Sequence, residues 1–356
     1  MEVKHNIVIV AGTLGHGGAE KQLYLLAKSL FENNHRVVVI SLTKDEFWEK
    51  ELIKIGIDVF NIPRMSRFKR FVAIHRIVKR IEPNIVYSFH FYTSFYAGLL
   101  RLFHKNLLTI GSIRNDGISE ISANGIWSWL HMHSCHKIIS NNLNGRKMIC
   151  EKLKISTEKI SILNNAFEFK FDLNQVVNRE KLRAVFVGRL VDSKDPLMLV
   201  DIWKRNHSLG LDIHLDIIGD GFLKGKIQNA VAENELESCI KLLGIKENAS
   251  DGMSQYNFLI STSHHEGTPN VVLEAMANKC LVVSRNYAGI GDVLLSIDSN
   301  YKRLIFETAE EATEIIHDLI QKPWKYEHFR SLSSDWVIEN YSIEKQYNTF
   351  LELVKC

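Results

Sequence analysis

Short runs of β-branched residues alternate with helical stretches along this chain, and that rhythm starts twice. Ile7–Val10, Val37–Ser41 and Ile85–Ser88 read as strands buried on both faces, with Glu20–Asn33 and Phe68–Ile81 as helices between them. The rhythm restarts at Ala184–Val187 and continues through Ile213–Ile218, Ile240–Leu243, Phe258–Ser261 and Leu281–Ser284. Strands that alternate with helices form a parallel sheet covered on both faces, so two runs predict two α/β sheets, each with its own core. The length agrees, since 356 residues suit two domains of roughly 150 to 180. The expected division is 1–165, then 166–338, with 339–356 a helix returning to the first domain and Asn164–Glu180 the linker. Doubly wound sheets bind ligands beyond the carboxyl ends of their strands, so the expected site is a cleft between two facing sheets.

Composition narrows the class. Apolar residues at 46% and charged residues at 24% describe a globular chain rather than a disordered one. No stretch is long and apolar enough to span a bilayer; Pro83–Leu100 comes nearest but contains Asn, Ser, Thr, His and Tyr. The first residues, MEVKHNIVIVAGTLG, lack a signal-peptide layout. Five cysteines, scattered and without a C-x-x-C pair, read as reduced thiols, so the expected location is cytoplasmic. A net charge of +3 gives no reason to expect a nucleic-acid partner.

The stretch SHHEGTPNVVLEAMANK, from Ser263 to Lys279, follows the expected strand Phe258–Ser261. Thr268 followed by Pro269 reads as a helix start, a side-chain cap and then proline at the first helical position. The amides that open this helix, with Asn270 and Val271 among them, suit a phosphate or sugar oxygen. Glu274 stands among Val271, Val272, Leu273, Ala275, Met276 and Ala277, which predicts a buried carboxylate. A buried carboxylate without a partner costs several kcal/mol, and two adjacent ribose hydroxyls would satisfy both its oxygens. A core salt bridge is the plainer reading for Glu274, and a solvated loop acid for Glu266. His264 and His265 have no third ligand spaced to complete a metal site.

This segment resembles the family-4 retaining glycosyltransferases, whose E-x7-E signature EG-x-P-x-x-x-x-EAMA appears here as EGTPNVVLEAMA. Other elements of the resemblance follow in order: Gly17-Gly18-Ala19-Glu20, the histidine-bearing Ser88–Leu100, Asn165-Ala166-Phe167-Glu168, Val187-Gly188-Arg189-Leu190 with Lys194, Ile217–Gly221, and Leu243-Gly244. The resemblance implies a GT-B fold, two Rossmann-like domains, with acceptor on the first and nucleotide sugar on the second. It implies that Glu274 holds the ribose and Glu266 contacts the transferred sugar. Arg189 and Lys194 would neutralise the departing diphosphate, helped by amides from Gly267 through Thr268 to Val271. A solvated turn lysine and a structural ion pair are the plainer readings of those two cations.

The glycines Gly15, Gly17 and Gly18 do not make a dinucleotide fingerprint; a tight loop that lets a donor phosphate or acceptor approach the backbone fits better. No D-x-D triplet occurs, which predicts catalysis without a metal or other cofactor. The sequence departs from the family pattern where Lys279 and Leu281 replace Gly and Pro. Ser112–Asn115 stands where many relatives carry a histidine, which leaves Arg114, Asn115 and His90 as sugar or acceptor contacts.

From Arg64 to Ile81 there are seven Lys or Arg and no acid, with Phe71, Ile74, Ile77, Val78 and Ile81 in an apolar stripe. One reading packs the stripe on the first sheet; the other docks Arg64–Arg80 on an anionic membrane surface. The expected activity is transfer of a hexose or N-acetylhexosamine from a nucleotide diphosphate sugar, UDP favoured over GDP, to a glycan or polyprenyl-linked acceptor of surface polysaccharide synthesis. The rivals are a non-hydrolysing nucleotide-sugar epimerase, which needs no acceptor, and a non-catalytic nucleotide-sugar binding protein, which releases no nucleotide.

Overall fold

The computed structural model describes residues 4–115, 117–169, 182–246, 249–264, 266, 268–287 and 289–355. The chain divides into two compact units, Met1–Glu168 with Tyr341–Cys356, and Phe169–Asn340. The divisions fall after Glu168 and Asn340, where the sequence places them after 165 and 338. Residues 170–180 of the expected linker lie outside the described residues.

Among the described residues the first unit holds seven strands: β1 (Asn6–Ala11), β2 (Arg36–Ser41), β3 (Asp58–Asn61), β4 (Ile85–Ser88), β5 (Leu108–Ile113), β6 (Lys137–Ser140) and β7 (Ile160–Ile162). They run parallel in the order β3-β2-β1-β4-β5-β6-β7. Side chains alternate across a strand, so β1 gives Ile7 and Ile9 to one core and Val8 and Val10 to the other. That two-sided burial is why the strand reads as an unbroken apolar run. Fully burying each such side chain contributes about 1.5–3 kcal/mol.

The second unit holds β8 (Leu182–Val187), β9 (Ile213–Ile218), β10 (Ile240–Gly244), β11 (Phe258–Ser261), β12 (Leu281–Arg285) and β13 (Ile305–Phe306), in the order β10-β9-β8-β11-β12-β13. Both sheets therefore reverse direction once, between β1 and β4 in the first and between β8 and β11 in the second. At such a reversal the loops leave in opposite directions and open a crevice at the carboxyl end.

The expected linker begins as packed structure. Gln22 holds residue 166 through both backbone groups, donating to Ala166 O at 2.8 Å and accepting from Ala166 N at 2.6 Å. Lys28 pairs with Glu168 at 2.9 Å. The final helix is Ile343–Val354, capped by Ser342, which accepts from Lys345 N. It starts later than the expected 339 because the preceding helix, Glu327–Tyr341, runs into that stretch. Tyr347, Phe350, Leu351 and Val354 join the same core as Ile7 and Ile9.

The basic helix is Arg67–Ile81, and it packs its stripe inward: Ile74, Val78 and Ile81 are buried, with Phe71 and Ile77 packed against the same core. The apolar stripe is thus consumed by the sheet, leaving Arg64, Arg67, Lys69 and Arg80 exposed.

Candidate functional site

In the second unit, the loops after β8 and β11 leave from neighbouring strands and are joined by backbone and side chains. Thr262 Oγ1 donates to Lys194 O at 2.8 Å, and His264 N donates to Ser193 O at 3.0 Å. This joining carries Lys194 to Glu266, Nζ to Oε2 at 2.7 Å, while the buried Ser263 donates to Oε1 at 2.8 Å. Both partners of the pair stay accessible, at 21% and 19%. Asp195 accepts from Arg285 at 2.9 Å, and His264 Nε2 lies 3.4 Å from the same carboxylate oxygen. Arg189 is exposed after β8, with no ion pair of its side chain among the described residues. Burial raises the Tyr287 pKa well above its ordinary value, and the Glu266 charge adds to the rise.

The β8 loop lies against the loop after β9, and two glycines permit it. A Cβ on Gly219 would stand 1.9 Å from Gly188 O, and one on Gly221 would stand 2.3 Å from Leu190 O. Leu190 N then donates to Asp220 O at 2.9 Å, fixing the turn that carries Arg189. The Ile217–Gly221 motif is therefore a packing requirement of the site.

The helix bearing Glu274 is Asn270–Ala277, with Pro269 at the cap position and no side-chain cap bond. Thr268 is not the cap. The Asn270 amide turns back to Thr268 O at 2.9 Å, so it is engaged, and Pro269 has none to offer. Val271 is half-buried in the first turn; Gly267, His265 and Ala288 lie outside the described residues. Glu274 is not buried as expected. The helix buries Val272, Leu273, Ala275, Met276 and Ala277, while Asn270, Val271, Glu274 and Asn278 form its more open face. The other apolar neighbours in sequence, Val271 apart, turn toward the buried side of the helix and do not cover the carboxylate.

In the first unit the corresponding reversal, β1 to β4, gathers Gly17, Gly18, Glu20, His90 and Tyr92. Gly17 caps the helix Gly18–Glu32, and the Glu20 carboxylate folds back over it, where a Cβ on Gly17 would meet it at 2.0 Å. His90 accepts from Gly12 N at 3.0 Å through Nδ1, which fixes the proton on Nε2, and Nε2 lies 3.2 Å from Glu20 Oε1. Both ring nitrogens of His90 are thus used to brace the glycine loop. Burial tends to raise the Glu20 pKa, but the His90 hydrogen bond, a backbone hydrogen bond and the electrostatic attraction of the His90 ring together lower it. Glu46 accepts from Thr13 at 3.0 Å and pins the other side of the loop.

Arg114, expected to contact sugar or acceptor, follows β5 and is buried. Its guanidinium lies over Phe89 at 3.7 Å, donates to Ser112 Oγ at 2.9 Å and bonds the Tyr87 hydroxyl. Burial lowers its pKa. Asn115 is exposed, and its carbonyl accepts from Asn142 at 3.0 Å. Glu20 and Glu46 were missed as site residues: Glu20 stands in the GGAE motif without a role, and nothing in sequence joins residue 46 to the glycine loop. Among the described residues no His, Cys, Asp and Glu group of three or more could hold a metal ion, and no helix is long and apolar enough to cross a membrane.

Comparison with known proteins divides as the fold does. Residues 16–170 match the family described as Glycosyltransferase Family 4, and residues 181–322 match Glycosyl transferases group 1. The chain is 26% identical over 308 residues, 81% of each chain, to a Campylobacter jejuni alpha-1,4-N-acetyl-D-galactosaminyltransferase acting on a diphospho-undecaprenol-linked glycan. It is 21% identical over 295 residues to the Staphylococcus aureus capsular polysaccharide biosynthesis glycosyltransferase CapH, covering 79% of this chain and 81% of that one. Anabaena HepE, solved in complex with UDP, superposes with a TM-score of 0.82 at 14% identity, covering 98% of this chain and 99% of that one.

Proposed function

The chain belongs to the family-4-like, group 1 glycosyltransferases of GT-B fold, and on that premise we propose that it moves a hexose or N-acetylhexosamine from a UDP-sugar, with retention, to a glycan or polyprenyl-linked acceptor of surface polysaccharide or glycolipid synthesis. The observation that carries the reading is the pairing of Lys194 with Glu266 at 2.7 Å, at the reversal between β8 and β11. A cation held there, with Arg189 exposed beside it in the chain, suits a diphosphate leaving group. Transferring the sugar breaks the bond between its anomeric carbon and the diphosphate oxygen, so negative charge grows on that oxygen. Fixed cations stabilise that charge more in the transition state than in the bound donor, and this raises the rate.

Glu274, on the open face of its helix, would accept from two ribose hydroxyls, and Glu266 would contact the sugar once Lys194 turns to phosphate. The Val271 amide would add to the same anion site, and the Gly17–Gly18 loop of the first unit would face the acceptor. UDP as donor base rests on what HepE binds, and a polyprenyl-linked acceptor on what the Campylobacter relative acts on. With two cations supplied by the chain, the reaction is proposed to need no metal.

The test is nucleotide release from a panel of UDP- and GDP-sugars, with and without lipid-linked and free glycan acceptors. Acceptor-dependent UDP release, lowered about 100-fold by Lys194→Ala and unaffected by EDTA, is the expected result. Interconversion of the free nucleotide sugar without acceptor would identify an epimerase. Donor binding with no release under any acceptor would leave a binding protein.

A further inference from the structure

We propose that the first unit binds a small phosphate ester with an apolar body, in a cavity between the amino ends of β1, β4, β5 and β6 and the final helix Ile343–Val354. The proposal does not rest on the transfer reading and would stand if that reading failed.

The cavity has a volume of about 1190 Å³, room for an organic ligand. His5, Asn84, Leu107 and His136 line it, and each is the residue just before one of those strands. The glycine loop and His90 lie past the opposite ends, about 20 Å away along a six-residue strand such as β1. A ligand held here is therefore an effector, separate from donor and acceptor.

Both lining histidines are set as hydrogen-bond donors. Asn84 accepts from the Asn6 amide at 2.7 Å through Oδ1, which turns its Nδ2 to donate to His5 Nδ1 at 2.9 Å. The Thr109 amide donates to His136 Nδ1 at 3.2 Å, and the Thr109 hydroxyl lies 2.9 Å from the same atom. A neutral ring whose Nδ1 accepts carries its proton on Nε2. Burial lowers the pKa of both rings, that of His136 further through Arg101 and Lys159, so both are neutral at neutral pH. Neither Nε2 makes a hydrogen bond among the described residues.

The charge and the apolar lining select the ligand. Lys105, Lys345 and Lys355 line the cavity against one acid, Glu352, a balance of three minus one, or +2. None of the three ammonium groups forms an ion pair among the described residues. A phosphate monoester carries about −1.5 to −2 at neutral pH and has three oxygens to accept from such donors, whereas a carboxylate would leave charge unmatched. Ile85, Leu108 and Leu351 supply apolar surface for the body of the ester. The final helix is anchored at the same place. His5 N donates to His35 Nδ1 at 3.0 Å, His35 Nε2 lies 3.1 Å from the Tyr347 hydroxyl, and Lys137 donates to Leu353 O at 2.8 Å. A ligand that fills the cavity thus bridges the sheet and that helix.

The test is calorimetric titration of phenyl phosphate into the full chain, with and without excess UDP. Saturable binding that UDP does not displace is expected. His136→Asn keeps an acceptor for the Thr109 amide but removes the Nε2 donor. Lys345→Glu reverses a charge at an exposed position and completes a capping box with Ser342. Each variant should lose about tenfold or more in phenyl phosphate affinity, with UDP affinity at the parental value and the melting temperature undiminished. Absence of binding by the parent chain would overturn the proposal, as would displacement by UDP, which would put the probe in the donor site. So would parental phenyl phosphate affinity in both variants, or inorganic phosphate binding as tightly as the ester.

Discussion

A lysine and a glutamate at the ends of neighbouring strands attract one another, but that attraction alone does not make a site. Here Thr262 holds the Lys194 carbonyl and Ser263 holds the Glu266 carboxylate, so both groups keep their place while staying accessible. The first unit uses the same economy differently, with Glu20 and His90 bracing a glycine loop. Because the Glu20 pKa is lowered in the folded chain, its contribution is present above the unfolded value and is lost as pH falls through the folded one. Glu20→Gln should therefore cost about 1 kcal/mol near pH 7. In urea unfolding the gap to the parent should close as the pH falls below about 4. A gap that held constant with pH would show that the charge plays no part. The positions of Glu266, Arg189 and Lys194 after strands were legible because motif spacing sets them there. The environments of Glu274 and Arg114 were not, because exposure is decided by which face of an element meets the sheet. Sequence neighbours lie on both faces of a helix, so an apolar run around Glu274 says little about its cover.

At the scale of elements, the strands that carry the site were readable, as was the edge strand β10, while three shorter edge strands were not. Ile7–Val10 and Phe258–Ser261 lie in sheet interiors, where burial on both faces forces an apolar run. β3, β7 and β13 are edge strands of two to four residues, too short to show a period. Helix starts failed for a related reason: Thr268-Pro269 has the composition of a cap, but the Asn270 amide bonds back to Thr268 and delays the helix by one residue. The glycines after β9 carry the clearest requirement. Gly219 has a φ of +146° and a backbone oxygen 1.9 Å from where a Cβ would stand. Gly219→Ala should destabilise the second unit by about 2 kcal/mol or more and disturb the Arg189 turn, measured by chemical unfolding and nucleotide affinity together. An alanine variant with parental stability would contradict that packing.

Over the whole molecule, two Rossmann-like units each reverse strand order once among the described residues, and each gathers a different set of charged side chains at that reversal. The second unit pairs cations with carboxylates beside its reversal; the first braces a glycine loop with Glu20 and His90. Doubling of the fold was plain in the sequence because the strand rhythm restarts. Residues 339–356 were expected to return to the first unit, but their helix begins only at Ile343, a limit set by the preceding helix. The grouping of exposed apolar side chains in the first unit was not plain, because Leu102 and Phe103 precede Ile126 and Trp127 by 23 to 25 residues and are linked to them only through the contacts of Arg67 and Phe95. The central claim is that the reversal between β8 and β11 holds the nucleotide diphosphate. Its most direct test is calorimetric titration of UDP into the parent chain, Glu274→Ala and Glu20→Gln. Glu274→Ala should weaken binding by about 1.5–3 kcal/mol while Glu20→Gln leaves it unchanged. Parental UDP affinity in Glu274→Ala, or an equal loss in Glu20→Gln, would contradict the assignment.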